Sequence, residues 1–237
     1  MNESDDPRLT DEHVRTVSSS EGTVTLVGVV HDHPASKYRV RTVVTDREPA
    51  VLALELPPLA LPLFEQYARD ERTPPVFGGE MSAAVQAMAG DRVVGIDGPT
   101  VGFLRRLAGT LYRQDVSLET TRNVVDGFLS VTKQTLRCRT AAHLAGTTGL
   151  RLEVDTPTVY ETDWSDDPET QATDEQRHLD RASTVLGALE TPRAMRIRDQ
   201  CREAHMAERI EQLRREGDVV AVVGQDHLDA VTSRLAG

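Results

Sequence analysis

The feature of this chain that most constrains its fold is a set of four short apolar runs rich in β-branched residues. They read TVTLVGVV (23–30), AVLALEL (50–56), RVVGID (92–97) and DVVAVVG (218–224). Such runs are typical of strands that are buried on both faces of a parallel sheet. Helix-forming segments separate them along the chain. Strands that alternate with helices in this way predict an α/β fold, with a mainly parallel sheet and covering helices.

The segments between the runs predict the remaining elements. Helices are expected over 34–48, where Pro34 suits a first helical turn, over 59–71, over 80–90 and after residue 224. Between the third and last runs the chain is mostly helix-forming, apart from an acidic loop at 160–176. We therefore expect a large helical insertion, or cap, before the last strand.

The two ends of the chain differ in character. Residues 1–20 are rich in Ser, Asp and Glu and predict a disordered acidic leader. The remainder, residues 21–237, has no internal repeat or linker and is long enough to bury one substantial core. We therefore expect a single domain there.

The charge balance excludes some partners. The chain has 38 acidic and 27 basic residues, and its net charge is −11. No basic stripe is visible, so a nucleic-acid or anionic-membrane partner is not expected. The lysines are Lys37 and Lys133, and the other basic residues are arginines. An acidic, lysine-poor surface is typical of a halophilic protein, although high-GC codon usage would give the same bias.

The cysteines and the apolar content predict the compartment. Cys138 and Cys201 have no spacing that indicates a disulfide framework or a thiolate metal site. Two free, buried thiols fit a reducing compartment. The polar N-terminus does not look like a signal peptide, and no apolar run approaches the roughly 20 residues that span a bilayer. We expect a soluble, cytoplasmic protein without a transmembrane segment; homo-oligomerisation is left open.

Each predicted strand reaches an ionisable residue at or just past its carboxyl end: His31, Glu55, Asp97 and His227. In open parallel sheets, ligands gather at this edge. Two histidines and two carboxylates suit both divalent metal binding and acid–base chemistry. Taken singly, each of these residues favours a structural role. Together they predict one site.

The two histidines share a local pattern, GVVH at 28–31 and GQDH at 224–227, in which the glycine permits close backbone approach. Asp32 is a secondary candidate, as a ligand or as a partner that orients the His31 ring. Asp97 is another secondary candidate. For Asp32 and His33, a solvent-exposed loop position is the simpler expectation.

These motifs also carry a resemblance. The chain resembles the TraB/PrgY family, which is related to the Tiki metalloproteases and to the erythromycin-esterase/ChaN-like proteins. The similar blocks span about 25–230, nearly the whole chain: LVGVVH (26–31), AVLALEL (50–56), PVFGGEMSAAVQAM with VVGID (75–97), and REAHMAERI with DVVAVVGQDHL (202–228). The resemblance implies a single TraB-like α/β domain over 21–237.

The resemblance also implies site residues. It places His31 and His227 in one pocket, the family's glutamates at Glu55 and at Glu80 of the GGEM block, and its arginine at Arg202. In Tiki-like relatives this pocket is associated with a divalent metal and with peptide cleavage. The chain departs from the family where Gly98 stands in place of the usual arginine.

The leading hypothesis is a metal-dependent hydrolase of a peptide or similar amide. His31 and His227 would bind manganese, cobalt or zinc, with Glu55 or Glu80 as third ligand and the other as base. Arg202 would orient the substrate or stabilise developing negative charge. One alternative is a non-catalytic protein that binds a peptide, haem or another small ligand. The other is a metal-free, esterase-like hydrolase in which the histidines act as acid and base.

Overall fold

A computed structural model of the chain describes residues 6–98, 100–114, 116–117, 119–124, 138, 158–188 and 192–237. Within these residues, the strands are β1 (Val14–Ser19), β2 (Gly22–Val29), β3 (Val51–Leu54), β4 (Val93–Gly95) and β5 (Val219–Gly224). The α-helices are α1 (Pro34–Arg47), α2 (Leu61–Tyr67), α3 (Gly79–Ala87), α4 (Val101–Arg113), α5 (Pro168–Ala188), α6 (Arg193–Arg214) and α7 (Gln225–Ala236).

The strands form one sheet in the order β1-β2-β5-β3-β4. Strands β2, β5, β3 and β4 are parallel, and β1 pairs antiparallel with β2. The last strand of the sequence, β5, therefore lies at the centre, with Gly224 opposite Val29 of β2 and Val222 opposite Leu54 of β3. This confirms the predicted α/β fold with a mainly parallel sheet. It also brings the carboxyl ends of four strands to one edge.

Both faces of the sheet are covered by helices. On β5, Val219, Ala221 and Val223 belong to a buried cluster with residues of α6 and α7. The alternate residues, Val220 and Val222, belong to a second cluster with residues of α1 and α3. Because successive side chains point to opposite faces, a strand between two helical layers must be apolar at every position. This explains the uninterrupted apolar run at 219–224.

The predicted disordered leader over 1–20 is wrong for the residues that the structure describes there. Pro7–Leu9 form a short 3₁₀ helix, and Val14–Ser19 form β1, which pairs with β2 from Val14 opposite Val27 to Ser19 opposite Gly22. The guanidinium of Arg8 lies 3.3 Å from the centre of the Tyr38 ring. Polar residues dominate the segment because β1 is an edge strand with half-exposed or exposed side chains. Residues 1–5 lie outside the described ranges.

The predicted helical insertion lies between β4 and β5. It contains α4, α5 and α6 in the part of the chain that the structure describes. Helix α5 begins at Pro168, inside the predicted acidic loop at 160–176, because the Asp167 side chain caps it by accepting from the Thr170 amide at 3.0 Å. Residues 125–137 and 139–157 of the insertion lie outside the described residues.

Two further predictions concern the cysteines and the membrane. Cys138 and Cys201 are both buried, as predicted, and no disulfide joins them. Among the helices that the structure describes, none has the length and apolar character needed to cross a bilayer.

A buried ion pair attaches α5 to α1. Arg39 and Glu175 have side chains that are 0% and 1% exposed, and Arg39 Nη2 lies 2.5 Å from Glu175 Oε2. Arg39 also donates to the carbonyl oxygen of Gly28 at 2.9 Å, and Ser36 donates to Glu175 Oε1 at 2.5 Å. Every charged atom of the pair is thus compensated by the neighbouring elements, as burial of charge requires.

We predict that Arg39→Ala lowers the free energy of unfolding by about 3–5 kcal/mol, because it leaves the Glu175 carboxylate buried without its counter-charge. The matched control is Arg92→Ala, which removes an ion pair with Glu216 whose side chains are 50% and 44% exposed. It should cost much less, because solvent screens an exposed ion pair. Urea unfolding of both variants checks this, and equal losses would contradict it.

Candidate functional site

The structure brings the predicted strand-end residues to the carboxyl edge of the sheet. His31 lies two residues past β2, Asp97 lies two residues past β4, and His227 lies in the first turn of α7. Strand β3 ends at Leu54, so Glu55 directly follows it; its amide donates to the carbonyl oxygen of Val222 at 3.0 Å. Because β2, β5, β3 and β4 are parallel neighbours, these four residues share one edge.

The first GxxH glycine, Gly28, is required by packing against the second motif. A Cβ atom at Gly28 would lie 2.2 Å from Oε1 of Gln225 and 2.9 Å from Cδ2 of Leu228. No real Cβ atom tolerates the first of these distances. The predicted close approach therefore exists, and it seats the beginning of α7 directly on β2.

Arg202, on α6, joins three of the strand-end residues. Its Nη2 lies 2.5 Å from Glu55 Oε1 and 2.8 Å from Asp97 Oδ2. Its Nη1 lies 3.1 Å from His227 Nε2. The Arg202 side chain is 23% exposed, whereas those of Glu55 and Asp97 are 7% and 8% exposed. We call these four residues, Glu55, Asp97, Arg202 and His227, the arginine cluster.

Burial and neighbouring charges have opposite effects on the pKa values of Glu55 and Arg202. Burial raises the pKa of Glu55 above its ordinary value, although the charge of Arg202 opposes the rise. Burial alone would lower the pKa of the Arg202 guanidinium, but Asp97 and Glu55 outweigh it and raise this pKa. Arg202 is therefore a permanent cation. Glu55 accepts a proton more easily than an ordinary glutamate does.

The partners of His227 indicate its tautomer. Because a guanidinium only donates hydrogen bonds, Nε2 of His227 must accept from Arg202. The proton then resides on Nδ1, which lies 3.3 Å from Glu203 Oε1. Glu203 was not among the predicted site residues. Nothing in the sequence distinguishes it from the other acidic residues of α6.

The second part of the site is a pair formed by His31 and Glu80. Nδ1 of His31 lies 2.6 Å from Glu80 Oε1, and the amide of Asp32 donates to Glu80 Oε2 at 2.9 Å. The Glu80 side chain is 3% exposed, but that of His31 is 71% exposed. The buried carboxylate therefore holds the ring by one nitrogen. It leaves Nε2 as the nitrogen that can meet a water, a substrate or a metal ion.

The contact between His31 and Glu80 also shifts the pKa values of both side chains. The hydrogen bond to Glu80 raises the pKa of His31 to about 9, and the charge of Glu55 adds to the rise. Burial would raise the pKa of Glu80, but the hydrogen bond with His31 outweighs burial and lowers it. At neutral pH the pair is an imidazolium and a carboxylate. Glu55, a member of the arginine cluster, lies close enough to His31 for its charge to act on the ring.

The GGEM block supplies the backbone that this pair needs. Gly79 has φ of 54°, and a Cβ atom there would lie 2.5 Å from Oδ1 of Asp32. Asp32 itself has φ of 62°, which is uncommon for a residue other than glycine. Glu80 lies in the first turn of α3, where the helix dipole favours a negative charge. Since both its oxygens are occupied, we expect Glu80 to orient His31.

A divalent metal was predicted on His31 and His227. In the part of the chain that the structure describes, no three His, Cys, Asp or Glu side chains form a group that could hold a metal ion. Nε2 of His227 is 3.1 Å from Arg202 Nη1, so a metal on this nitrogen would have to displace the guanidinium. The described position of His227 therefore does not fit a metal shared with His31, and the metal stays a prediction.

The other candidates are placed as follows. His33, expected in an exposed loop, is fully buried. It caps α1 by accepting from the Ala35 amide at 3.2 Å, and its Nε2 lies 3.4 Å from Asp174 Oδ2 of α5. His33 and Asp174 are 141 residues apart in the sequence, so no local pattern reveals this contact between the helix cap and α5. Asp32 is half-buried, and its carboxylate lies 3.8 Å from Lys37 Nζ.

Comparison of the chain with protein-family models, with curated proteins and with solved structures gives no match in any of the three. The resemblance to the TraB family therefore stays a prediction of the sequence. The roles assigned to the site residues therefore depend on the site geometry alone.

We predict that Glu80→Gln lowers the pKa of His31 from about 9 toward its ordinary value of 6.5, because the amide cannot stabilise the imidazolium by charge. Because the folded-state pKa is the higher one, the pair stabilises the fold below about pH 6.5. This contribution is lost as the pH rises through about 9. NMR titration of the His31 ring protons measures the shift. A pKa that stays near 9 in the variant would contradict the assigned pair.

We predict that Arg202→Gln costs about 2 kcal/mol of stability at pH 7.5, because Glu55 and Asp97 then face each other without a cation. This loss of stability should be smaller at pH 5.5. Without Arg202 the pKa of Glu55 in the folded state rises further. A carboxyl group whose pKa is raised by folding stabilises the folded state at low pH. Urea unfolding at both values measures it. The control is Arg209→Gln, also on α6, whose Nη1 bonds Gln212 at the surface. A loss independent of pH would contradict the account.

Proposed function

We propose that this chain is a hydrolase that cleaves a peptide or a related amide at the carboxyl edge of the sheet, with His31 as its acid–base residue. The observation that carries the proposal is the His31–Glu80 pair. An exposed imidazole is held through Nδ1 by a buried carboxylate, 2.6 Å away, and its Nε2 remains available. A base oriented by a third group in this manner is a recurring arrangement in acyl-transfer enzymes.

The proposed reaction has two proton transfers. Neutral His31 accepts a proton at Nε2 from a water molecule while the water oxygen attacks the carbonyl carbon of the substrate. Glu80 stabilises the imidazolium that forms. The same proton then passes to the amide nitrogen as the carbon–nitrogen bond breaks, which yields a carboxylic acid and an amine and returns His31 to its neutral form.

The arginine cluster supplies the positive charge. The Arg202 side chain is 23% exposed, and it lies at the same edge as His31. A cation held in place before the reaction stabilises the negative oxygen of the tetrahedral intermediate without reorganisation. Glu55 and Asp97 hold this guanidinium, so we assign them positioning roles. Burial raises the pKa of Glu55, which makes it the second candidate for proton transfer.

The peptide substrate class comes from the TraB resemblance. A cytoplasmic location belongs to the same proposal and is supported by the two buried cysteines, which form no disulfide. No step above passes through a metal. Whether the reaction also needs manganese, cobalt or zinc is decided by chelation in the experiment below.

The test is hydrolysis of a fluorogenic peptide library by protein purified without a histidine tag. We predict that kcat/KM rises with pH up to about 9, the pKa of His31, because only the neutral ring accepts a proton. His31→Gln should lower kcat/KM by about 10²–10⁴-fold. Arg92→Ala, far from this edge, should leave it unchanged. Folded protein that cleaves no peptide at any pH would contradict the proposal.

Chelation separates the two catalytic versions. If EDTA leaves the rate unchanged, the metal-free reaction is supported. If EDTA abolishes the rate and one of the three metals restores it, the predicted metal takes part.

A second candidate function is a protein that binds a peptide, haem or another small ligand without turnover. The observation that favours it is the closed arginine cluster. Both Glu55 oxygens are taken, one by Arg202 and the other by the Gly224 amide at 2.6 Å. A binding protein would retain the ligand unchanged. Equilibrium binding followed by mass analysis of the bound peptide therefore distinguishes the two candidates.

A further inference from the structure

We propose that Tyr160 is a positioning residue for His31, acting through the peptide unit that joins His31 to Asp32. The inference rests on the proposed role of His31. Tyr160 lies 129 residues away in sequence, in the segment that precedes α5, and no sequence motif points to it.

Two groups hold this peptide unit from opposite ends. The Tyr160 hydroxyl donates to the carbonyl oxygen of His31. The amide N–H of Asp32, which belongs to the same peptide unit, donates to Glu80 Oε2 at 2.9 Å. The other oxygen of Glu80 lies 2.6 Å from Nδ1 of His31. The hydroxyl, the peptide, the carboxylate and the imidazole thus form one continuous hydrogen-bonded chain.

Consecutive hydrogen bonds of this kind strengthen one another. A donor on the carbonyl oxygen polarises the peptide, and this makes its N–H a better donor to Glu80. The position of the peptide also determines how closely the imidazole approaches the carboxylate, since Glu80 spans both. Removing the hydroxyl should therefore weaken the contact between the His31 and Glu80 side chains. Tyr160 acts on this contact through its hydrogen bond to the backbone carbonyl of His31.

The backbone at this point needs outside support. Asp32 has φ of 62°, a left-handed conformation that persists only where the surroundings determine it. The backbone N–H of Thr158 donates to the Asp32 side chain. Residues 158–160 therefore contact both the peptide unit and the side chain of the strained residue.

The Tyr160 ring is itself fixed and does not titrate in the working range. Its centre lies 4.6 Å from that of His33 and 5.3 Å from that of His178, in edge-to-face arrangements. Burial raises the pKa of Tyr160 to about 12. The hydroxyl stays protonated over the pH range in which His31 titrates, so it acts as a constant donor.

The segment that carries Tyr160 is anchored to α5. Thr162 donates to Asp174 Oδ2 at 2.9 Å, and Gln171 Nε2 donates to the carbonyl oxygens of Asp163 and Asp166, each at 3.0 Å. Helix α5 is in turn held by the buried Arg39–Glu175 pair. Through these contacts the helical insertion supports the turn that carries His31.

The experiment compares Tyr160→Phe with the wild-type chain by NMR titration of His31. The phenylalanine keeps the ring and removes the hydroxyl. We expect the pKa of His31 to fall from about 9 by about one unit toward its ordinary value of 6.5. The control is Tyr112→Phe, at a tyrosine that is 89% exposed on α4, and it should leave the titration unchanged.

A third variant, Tyr160→Leu, removes the ring as well as the hydroxyl. The inference predicts that the Phe and Leu variants lower the pKa of His31 by similar amounts. It is overturned if a folded Tyr160→Phe protein keeps the wild-type titration, including the case in which Leu alone lowers the pKa, since ring packing would then be the cause. Because the titration needs no substrate, a shifted pKa without peptide cleavage would overturn only the hydrolase proposal.

Discussion

The rest of the structure depends on the central position of β5. This strand forms parallel ladders with β2 on one side and with β3 on the other, and all six of its residues are buried. Central burial requires helices on both faces, which α1 and α3 provide on one side and α6 and α7 on the other. It also places the end of the chain beside its beginning, so that the two GxxH motifs lie on neighbouring strand ends. A site at this edge is a consequence of topology.

Two cations lie at this edge, and each is paired with buried carboxylates. The protein carries a net charge of −11, yet its candidate site gathers two cations, Arg202 and the imidazolium of His31. Each is held by carboxylates that are themselves almost fully buried. Burial keeps these carboxylates in fixed positions and strengthens their effect on the cations. The same arrangement fits a negatively charged intermediate or a substrate carboxylate.

The sequence predicted the parts of the fold and site that arise from local patterns. Apolar runs identified four strands, and the GxxH glycines indicated close approach, because each reflects a short-range requirement. Strand β1 was missed because an edge strand with exposed side chains looks like a polar leader. His33, Glu203 and Tyr160 could not be assigned because their partners lie on other elements of the fold. Whether the site binds a metal is a property of three-dimensional geometry that residue types alone leave open.

The central claim is that the His31–Glu80 pair controls proton transfer in the reaction. The most direct test is to measure, in one buffer series, the pKa in the kcat/KM profile and the NMR pKa of the His31 ring. Both are measured for the wild-type chain and for Glu80→Gln. The account predicts that the two values agree near 9 in the wild-type chain and fall together in the variant. A kinetic pKa that stays in place while the His31 titration moves would contradict it.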